Sequence, residues 1–481
     1  MGVVKSFLGA VVLLVPFSSS GVYLNADGLG QALIFPYYTV QSSGLNAFNT
    51  YVAISNTTSQ TKVLKVRFRE GKNSRLVSEF NLYLSPNDMW TAALVPEGTG
   101  TRLISRDISC TAPSIPSAGL LFSAASYSDG SDGGGVGLER TREGHFEVIE
   151  MGVLTGSAAG NVNHDESGHP PNCNFVQGSP DLGALQPPSG GLYGGGTLIN
   201  VTSGLDFTYD ADALAGLTSV PFYSHPGEAG TDFDSPAVDP VSQISHDNVS
   251  YRLTWSRGLD AITSLFMGNR FDNEIVVDAV TRSRTDWVMT FPTRRFYVTN
   301  DDAQAPFTAP FGPVGNPPCE GLDGFVVTRD PPPVNGIDFP IPPPSGTRSC
   351  WSAVALSIKH DQPRASESDV FGSRNMLGFA PPLPPRDGFP NVITLDSSFE
   401  NGRMSLGPQF SSSIVSLASS TALDLRTGTT ASGRYAIKGW PATGFMARVF
   451  ENGNLSCGAI TCQGNYGGSF KHRRVRVIQP S

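Results

Sequence analysis

The densest group of side chains that could bind a metal lies in the segment NVNHDESGHPPNC, residues 161–173. It contains five possible ligands within ten residues: His164, Asp165, Glu166, His169 and Cys173. Zinc sites on a single helix face use two histidines four residues apart. These two are five apart and are followed by two prolines, which disfavour a helix. The segment is therefore predicted to be a solvated loop, with His164, Asp165 and His169 as its candidate metal ligands.

Two further loops are rich in aspartate, DGSDGGG at 129–135 and TDFDSPAVD at 231–239. Carboxylate oxygens are the ligands that calcium prefers. Neither loop has the D-x-[DN]-x-[DN]-G spacing with a glutamate at the twelfth position, and glycine and aspartate are ordinary turn residues. We expect turns and no cofactor. The alternative is a structural calcium ion, with Asp232 and Asp234 as its candidate ligands.

Common catalytic signatures are missing from the sequence, which has no G-x-S-x-G nucleophile elbow, phosphate-binding loop or dinucleotide fingerprint. Three acids, Glu143, Glu147 and Glu150, surround one predicted strand, and a glycosidase needs two carboxylates about 5–10 Å apart. Glu147 and Glu150 should point to opposite faces of that strand. We therefore predict solvated acids near Arg140 and Arg142, and a protein without a catalytic residue.

The overall charge argues against a nucleic-acid partner. The chain has 33 Lys and Arg against 42 Asp and Glu, a formal net charge of −9, whereas nucleic-acid binders carry a basic surface. The short basic segment KHRRVR at 471–476 alternates with valine at its end. It is predicted to form a terminal strand with an exposed basic face.

The N-terminus has the pattern of an export signal. Lys5 precedes the apolar run FLGAVVLLVPF at 7–17, and small residues follow at 18–21. Residues 1–21 are therefore predicted to be a signal peptide. Eleven apolar residues are too few to span a bilayer, which needs about twenty, and no later segment is long enough. We expect an exported protein at the cell surface or outside the cell, or in the periplasm, without a membrane span once the leader is removed.

Six cysteines agree with an oxidising compartment, since an even number in an exported chain indicates disulfides. Six cysteines allow fifteen pairings, and the sequence does not choose among them. Pairing of neighbours in sequence gives three bonds: Cys110–Cys173, Cys319–Cys350 and Cys457–Cys462.

Short segments rich in β-branched and aromatic residues, separated by turn residues, predict an all-β fold. Such patterning is typical of two or three β-sandwich modules of immunoglobulin-like architecture, with long Pro- and Gly-rich loops and one or two short helices. The sequence KVLKVRFRE at 62–70 alternates strictly, which places Lys65, Arg67 and Arg69 on a solvated face. The 53 glycines and 37 prolines exclude a helical bundle.

The domains are predicted as follows. Residues 22–110 form an N-terminal sandwich module, and residues 111–305 form a second β-rich module with a helix around Leu259, Ile262 and Leu265. Residues 306–350 are a proline-rich, disulfide-clamped insertion that lies on the surface. Residues 351–481 form a C-terminal β-rich region that packs with the second module or stands alone.

Four phrases, REGHFEVIEMG, TLINV, TDWVMTFPTRRFYV and the near-terminal NYGGSF, resemble phrases of uncharacterised exported or cell-surface β-rich proteins of Gram-negative bacteria. The resemblance covers most of the chain after the leader. It implies a location and brings no activity, cofactor or catalytic residue.

Together these features predict an exported, non-enzymatic envelope or surface protein. It would act by contact with other envelope or surface proteins or with glycans, and self-association is one such contact. The alternative is a secreted hydrolase acting on polysaccharide, with acids brought together from distant loops.

Overall fold

A computed structural model of the chain describes residues 21–43, 46–311, 318–329, 348–360, 367–375, 392–395, 399–409, 416–419, 421–424, 430–431, 434–458 and 460–480. The predicted signal peptide, apart from its last residue, lies outside these residues. So does the proline-rich stretch 330–347 of the predicted insertion.

Strands dominate the part of the chain described, and the first fifteen lie before residue 216. They are β1 (Tyr23–Leu24), β2 (Ala32–Thr39), β3 (Ser42–Ser43), β4 (Asn46–Ala47), β5 (Asn49–Asn56), β6 (Thr61–Glu70), β7 (Leu76–Leu84), β8 (Met89–Glu97), β9 (Gly100–Ile104), β10 (Thr111–Ala112), β11 (Leu120–Leu121), β12 (Glu143–Leu154), β13 (Leu192–Asn200), β14 (Leu205–Asp210) and β15 (Asp212–Ala215).

The remaining strands are β16 (Val241–His246), β17 (Val249–Thr254), β18 (Met267–Gly268), β19 (Arg270–Val276), β20 (Arg284–Thr290), β21 (Cys319–Thr328), β22 (Arg348–Cys350), β23 (Ala353–His360), β24 (Val392–Leu395), β25 (Asn401–Pro408), β26 (Ser416–Ala418), β27 (Thr421–Asp424), β28 (Thr430–Ala431), β29 (Tyr435–Lys438), β30 (Trp440–Pro441), β31 (Thr443–Cys457), β32 (Ile460–Lys471), β33 (Arg473–Val475) and β34 (Val477–Pro480). The helices in the described residues are α1 (Gly156–Val162) and α2 (Gly258–Phe266), with short 3-10 turns at Ala125–Tyr127, Leu138–Arg142, Cys173–Val176 and Arg294–Phe296.

The prediction of an all-β fold is confirmed. Between residues 30 and 107, five of the short segments predicted to be strands form β2, β5, β6, β7 and β8, and their sequences are ALIFPYYTV, NTYVAISNTT, KVLKVRFRE, EFNLYLSP and DMWTAALV. The predicted helix is α2, whose Leu259, Ile262 and Leu265 are all buried. Its C-terminal end carries partial negative charge, and the Leu265 carbonyl accepts hydrogen bonds from Arg474 (3.0 Å) and Arg476 (2.6 Å) of the basic C-terminal segment.

Two large sheets share the first apolar core. Their strand orders are β1-β15-β2-β12-β6-β7-β10 and β11-β9-β8-β5-β13-β14. Between them stack Phe35, Phe68 and Phe146, with ring centroids 4.0 Å (Phe35–Phe146) and 4.6 Å (Phe68–Phe146) apart. β12 lies between β2 and β6, so hydrogen bonds join residues on both sides of the boundary predicted at residue 110. Periodicity within a segment does not reveal which strand will pair with it.

The sheet β24-β23-β20-β31-β32 lies between two cores because β20 and β31 are apolar on both faces. Trp287 and Met446 belong to a second core around α2, whereas Val288 and Phe445 pack into the first core. The two halves of the chain therefore meet through strands whose central residues are buried on both faces.

The prediction of a solvated basic face on β6 is wrong. Lys65, Arg67 and Arg69 do alternate with apolar residues, but all three are buried. The Lys65 ammonium donates to the Ser224 carbonyl at 3.1 Å, and the Arg69 guanidinium donates to the Glu147 carboxylate at 2.7 Å. A period of two shows that one face is polar, but it does not show that water covers that face.

The three glutamates predicted to be solvated are buried as well. The Glu150 carboxylate lies 2.7 Å from the Lys62 ammonium, and both side chains are fully buried. Burial alone would raise the pKa of Glu147, but Arg69 and its neighbouring arginines outweigh that effect and lower the pKa. For Glu150, burial outweighs Lys62 and raises the pKa. Glu143 makes a separate set of hydrogen bonds. These acids serve as internal counter-ions and acceptors.

The predicted insertion is partly built into a sheet, which corrects its description as a surface segment. Within 306–350, β21 lies between β22 and β25 in the order β22-β21-β25-β19-β33. The sequence GLDGFVVT between the two proline-rich runs is free of proline and can form ladder hydrogen bonds on both sides.

The structure forms two of the three expected disulfide bonds, Cys110–Cys173 and Cys319–Cys350. The latter joins directly opposed residues of β21 and β22. The side chains of the third pair, Cys457 and Cys462, lie outside the residues described.

Replacing Lys62 with alanine should lower the free energy of unfolding by about 3–5 kcal/mol, because the Glu150 carboxylate would remain buried without a cation. The double variant Lys62→Met/Glu150→Leu should recover most of that loss, since it removes both charges. Urea denaturation at pH 7 measures both values. Arg473→Ala, at a largely exposed arginine, is the control and should cost less than about 0.5 kcal/mol. A loss below about 1 kcal/mol for Lys62→Ala would contradict the assigned role of the pair.

Candidate functional site

The candidate metal ligands of the histidine-rich segment have separate hydrogen-bond and ion-pair partners in the structure. The His164 imidazole lies 3.6 Å from the Asp88 carboxylate. The Asp165 carboxylate accepts the backbone N–H of Ser167 at 2.8 Å, and His169 is exposed. His164 and Asp165 therefore contact different partners and do not share a ligand position with His169. Within the described part of the chain, no group of three or more His, Cys, Asp or Glu side chains is placed to hold a metal ion.

The two aspartates proposed for calcium are counter-ions of arginines. Asp232 forms ion pairs with Arg295 and, at 3.7 Å, with Arg67 of the buried face of β6. Asp234 lies 3.6 Å from Arg257. Asp232 thus helps to close the segment 218–239 over the seven-stranded sheet.

The sequence NYGGSF, quoted above only as part of a resemblance, forms the end of β32 and has two different faces. The odd-numbered residues contact the edge strand β14 or the segment before it. The Asn465 amide donates to the Ser203 carbonyl and the Ser469 hydroxyl donates to the Thr208 carbonyl. At Gly467 a Cβ atom would lie 3.0 Å from the ring of Phe207. Glycine at 467 thus favours the close approach of β32 to β14, since a larger side chain would crowd the buried Phe207 ring.

The even-numbered residues of the same sequence point away from β14. The side chains of Tyr466 and Phe470 are 54% and 50% exposed. Gly468 stands between them and leaves an open gap, since a Cβ atom there would meet only one ring atom, at 3.8 Å. Four residue steps along a strand span about 13 Å, which separates the Cα atoms that carry the two rings. Large apolar side chains exposed together on one face are typical of binding surfaces.

Strand β31 supplies the other half of this surface. Its residues Phe450 and Arg448 lie directly opposite Tyr466 and Gly468. The Arg448 guanidinium carbon is 5.1 Å from the ring centroid of Phe470 and 5.3 Å from that of Phe450, within the range of cation–π attraction. Arg448 also forms an ion pair with Glu274 of β19. We define the aromatic face as Tyr466, Gly468, Phe470, Phe450, Arg448 and Glu274.

A small pocket of about 160 Å³ lies beside the aromatic face, between β32 and the β14–β15 junction. Its lining residues include Asp210, Asp212, Phe470 and Lys471. Asp212 is buried, and its two carboxylate oxygens accept hydrogen bonds from the Thr443 hydroxyl and the Lys471 ammonium. Asp210 is exposed. The pocket thus offers one free carboxylate and one that is already paired.

Comparisons with protein-family models, with curated proteins and with solved structures found no match for this chain.

The sequence reasoning missed this surface because its aromatic residues come from two strands. The signal that could have found it is the period of two in NYGGSF, where aromatic residues and glycine occupy the even positions. Arg448 and Glu274 carry no such local signal, since only the pairing of β31 with β32 and the packing of β19 bring them together.

His472, which follows the pocket residue Lys471 in the chain, is buried, and its hydrogen-bond partners fit a neutral imidazole. Its Nε2–H donates to the Val288 carbonyl at 3.0 Å, and its Nδ1 accepts from the Asn273 amide at 3.2 Å. Burial lowers the pKa of His472 to about 4. A proton on Nδ1 would face the amide donor of Asn273, which opposes the charged form as well.

The pKa of His472 predicts a loss of stability in acid. The unfolded chain takes up the proton near pH 6.5 and the folded chain only near pH 4, so stability falls as the pH decreases between these values. The His472→Gln variant should lose about 2–3 kcal/mol less than the wild type between pH 7 and pH 4. Chemical denaturation across this range, with both proteins measured in parallel, provides the difference. Identical pH profiles would contradict a neutral, buried His472.

Proposed function

We propose that this chain is an exported, non-enzymatic protein of the envelope or surface of a Gram-negative bacterium, and that its aromatic face binds a glycan. The observation that carries the proposal is the pair of half-exposed rings, Tyr466 and Phe470, separated by Gly468 on one rigid strand. Apolar C–H faces of sugar rings stack on aromatic rings. The neighbouring guanidinium of Arg448 and carboxylate of Glu274 can hydrogen-bond sugar hydroxyls.

The rigidity of the hairpin supports this proposal. β32 is held by β31 along one edge, and along the other edge by the side-chain hydrogen bonds of Asn465 and Ser469 to the β14 side. The Phe470 carbonyl also accepts the Asn273 amide at 2.8 Å. The backbone that carries the two rings therefore has little conformational entropy to lose on binding, which favours affinity.

The compartment is part of the same proposal. Two disulfide bonds are compatible with export. No helix among the residues described is long and apolar enough to cross a membrane. The two sheets around the first core support the further proposal that the chain is built from sandwich modules of the immunoglobulin type. Fractionation of the source cells, with protease added to intact cells, tests the location. Recovery of a reduced protein in the cytosol would contradict it.

Glycan binding is tested by affinity electrophoresis of the mature protein through gels containing bacterial and plant polysaccharides. Phe470→Ala and Tyr466→Ala should each weaken retardation at least tenfold, because each removes one stacking ring. Gly468→Val should have the same effect by filling the gap while leaving both rings in place. Tyr193→Ala removes a ring of similar exposure on another sheet and should bind as the wild type does.

Sedimentation velocity separates glycan binding from self-association, which would also use exposed rings. If the wild type is oligomeric and Phe470→Ala is monomeric, the aromatic face is a protein interface and glycan binding is not its role. If no polysaccharide retards the wild type, the glycan proposal is wrong.

The pocket with Asp210 and Asp212 favours a second candidate, a hydrolase acting on polysaccharide next to the aromatic face. The pairing of Asp212 with Lys471 and Thr443 argues for a structural role of that acid. We expect no release of reducing ends from any retarded polysaccharide. Release that disappears in Asp210→Asn would establish the hydrolase instead.

A further inference from the structure

A second pocket, of about 180 Å³, lies where the β6–β7 and β8–β9 turns meet the residues just before β12 and the segment 374–375. Positive side chains dominate its wall. Its polar lining includes Gln41, Lys72, Thr99, Arg140, Arg142 and Arg374. The exposed acid Glu139 also belongs to the lining. This pocket shares no residue with the aromatic face.

Arg140 is already fully paired and is part of the frame of the pocket. Its guanidinium donates to both Asp132 oxygens at 2.9 and 3.0 Å, and to Glu70 at 3.2 Å. It also lies over the ring of Tyr127, 4.0 Å from the centroid. Each of these groups is buried. Arg140 therefore connects the segments that carry Glu70 and Asp132. A ligand in the pocket would be bound by the other positive side chains.

Among the residues described, no acid side chain hydrogen-bonds the Lys72 ammonium or the Arg142 guanidinium. The Lys72 ammonium donates to the Gly134 carbonyl at 2.8 Å and lies 5.4 Å from the centroid of the Trp351 ring. The Arg142 guanidinium donates to the Val40 carbonyl at 2.8 Å. The direct partners of both charges are thus carbonyl groups and a ring, and the acids Glu70, Glu139 and Glu143 act on them only through space.

Arg374 brings a third positive charge to the pocket. It lies 3.9 Å from Glu367, and most of its side chain is exposed. Burial lowers the pKa of Arg142, and the nearby charge of Arg374 lowers it further. Two like charges that face one small space repel each other unless an anion lies between them.

The buried carboxylate of Glu143, which follows Arg142 in the chain, accepts hydrogen bonds from neutral donors. It accepts the Tyr37 hydroxyl at 2.8 Å, the Gln41 amide at 3.2 Å and the Ser373 hydroxyl at 2.6 Å. The backbone N–H groups of 374 and 375 complete the set at 3.0 and 3.1 Å. Glu143 thus holds Gln41 and the segment 373–375 in position, and it is not itself a lining residue of the pocket.

We propose that this pocket binds a small oxyanion (a carboxylate, phosphate or sulfate group) between Lys72, Arg142 and Arg374. The volume admits one such group, and the planar guanidinium of Arg142 matches the geometry of two oxygens. The Thr99 hydroxyl and the Gln41 amide add neutral donors. The anion is either free in solution or the acidic group of a sugar.

The proposal is tested by isothermal titration calorimetry of the mature protein with sodium phosphate, sodium sulfate and sodium galacturonate. Sodium chloride keeps the ionic strength constant. At least one of the three should bind saturably. Binding of phosphate or sulfate alone identifies a free inorganic anion, and binding of galacturonate alone identifies an acidic sugar. Arg142→Gln and Lys72→Met should each weaken binding at least tenfold.

Arg473→Gln is the matched control. It also removes one positive charge, but Arg473 is largely exposed and does not line the pocket. It should bind the anion as the wild type does. Circular dichroism confirms that each variant is folded, and Lys72→Met carries the test if Arg142→Gln does not fold. The proposal is overturned if none of the three salts binds above the chloride background. Equal binding by the wild type and by a folded Lys72→Met variant would overturn it as well.

Discussion

A charged side chain that leaves water must find a partner, and this constraint organises the seven-stranded sheet. Lys62, Lys65, Arg67 and Arg69 of β6 are all buried, and so are the acids of β12 beside them. Because an unpaired buried charge costs several kcal/mol, the register of β6 against β12 is restricted to arrangements that pair these groups. The ion pairs thus contribute specificity even where their net stabilisation is small.

The same constraint connects distant parts of the chain. The polar face of β6 is closed by carbonyl groups of 224, 225 and 231 and by Asp232, and Arg295 reaches both Asp232 and Glu147. Glu143 binds the segment 373–375. The apolar strands β20 and β31 then fill the space between the two cores. The two halves of the chain are therefore held by polar contacts as well as by packing.

Both proposed sites depend on this internal order. The aromatic face needs β32 to be fixed against β14, which in turn belongs to the sheet packed on the first core. The oxyanion pocket needs Arg140 to be held by Glu70 and Asp132, so that Lys72 and Arg142 remain without carboxylate partners. In each case contacts between buried groups fix the backbone of the site. The side chains proposed to bind the ligand are partly exposed.

The sequence by itself determined the local structure. The alternation in β6, the turn residues between the short β-rich segments, and the apolar spacing in α2 each predicted the element that forms, because these signals depend on neighbours a few residues apart. Only the tertiary structure decided that the basic face of β6 is buried, that β12 lies between β2 and β6, and that β21 joins a sheet. It also decided that Arg448 stacks beside Phe470 and that Arg142 faces Arg374. These outcomes depend on contacts between residues tens to hundreds of positions apart, and no local pattern in a single sequence records such contacts.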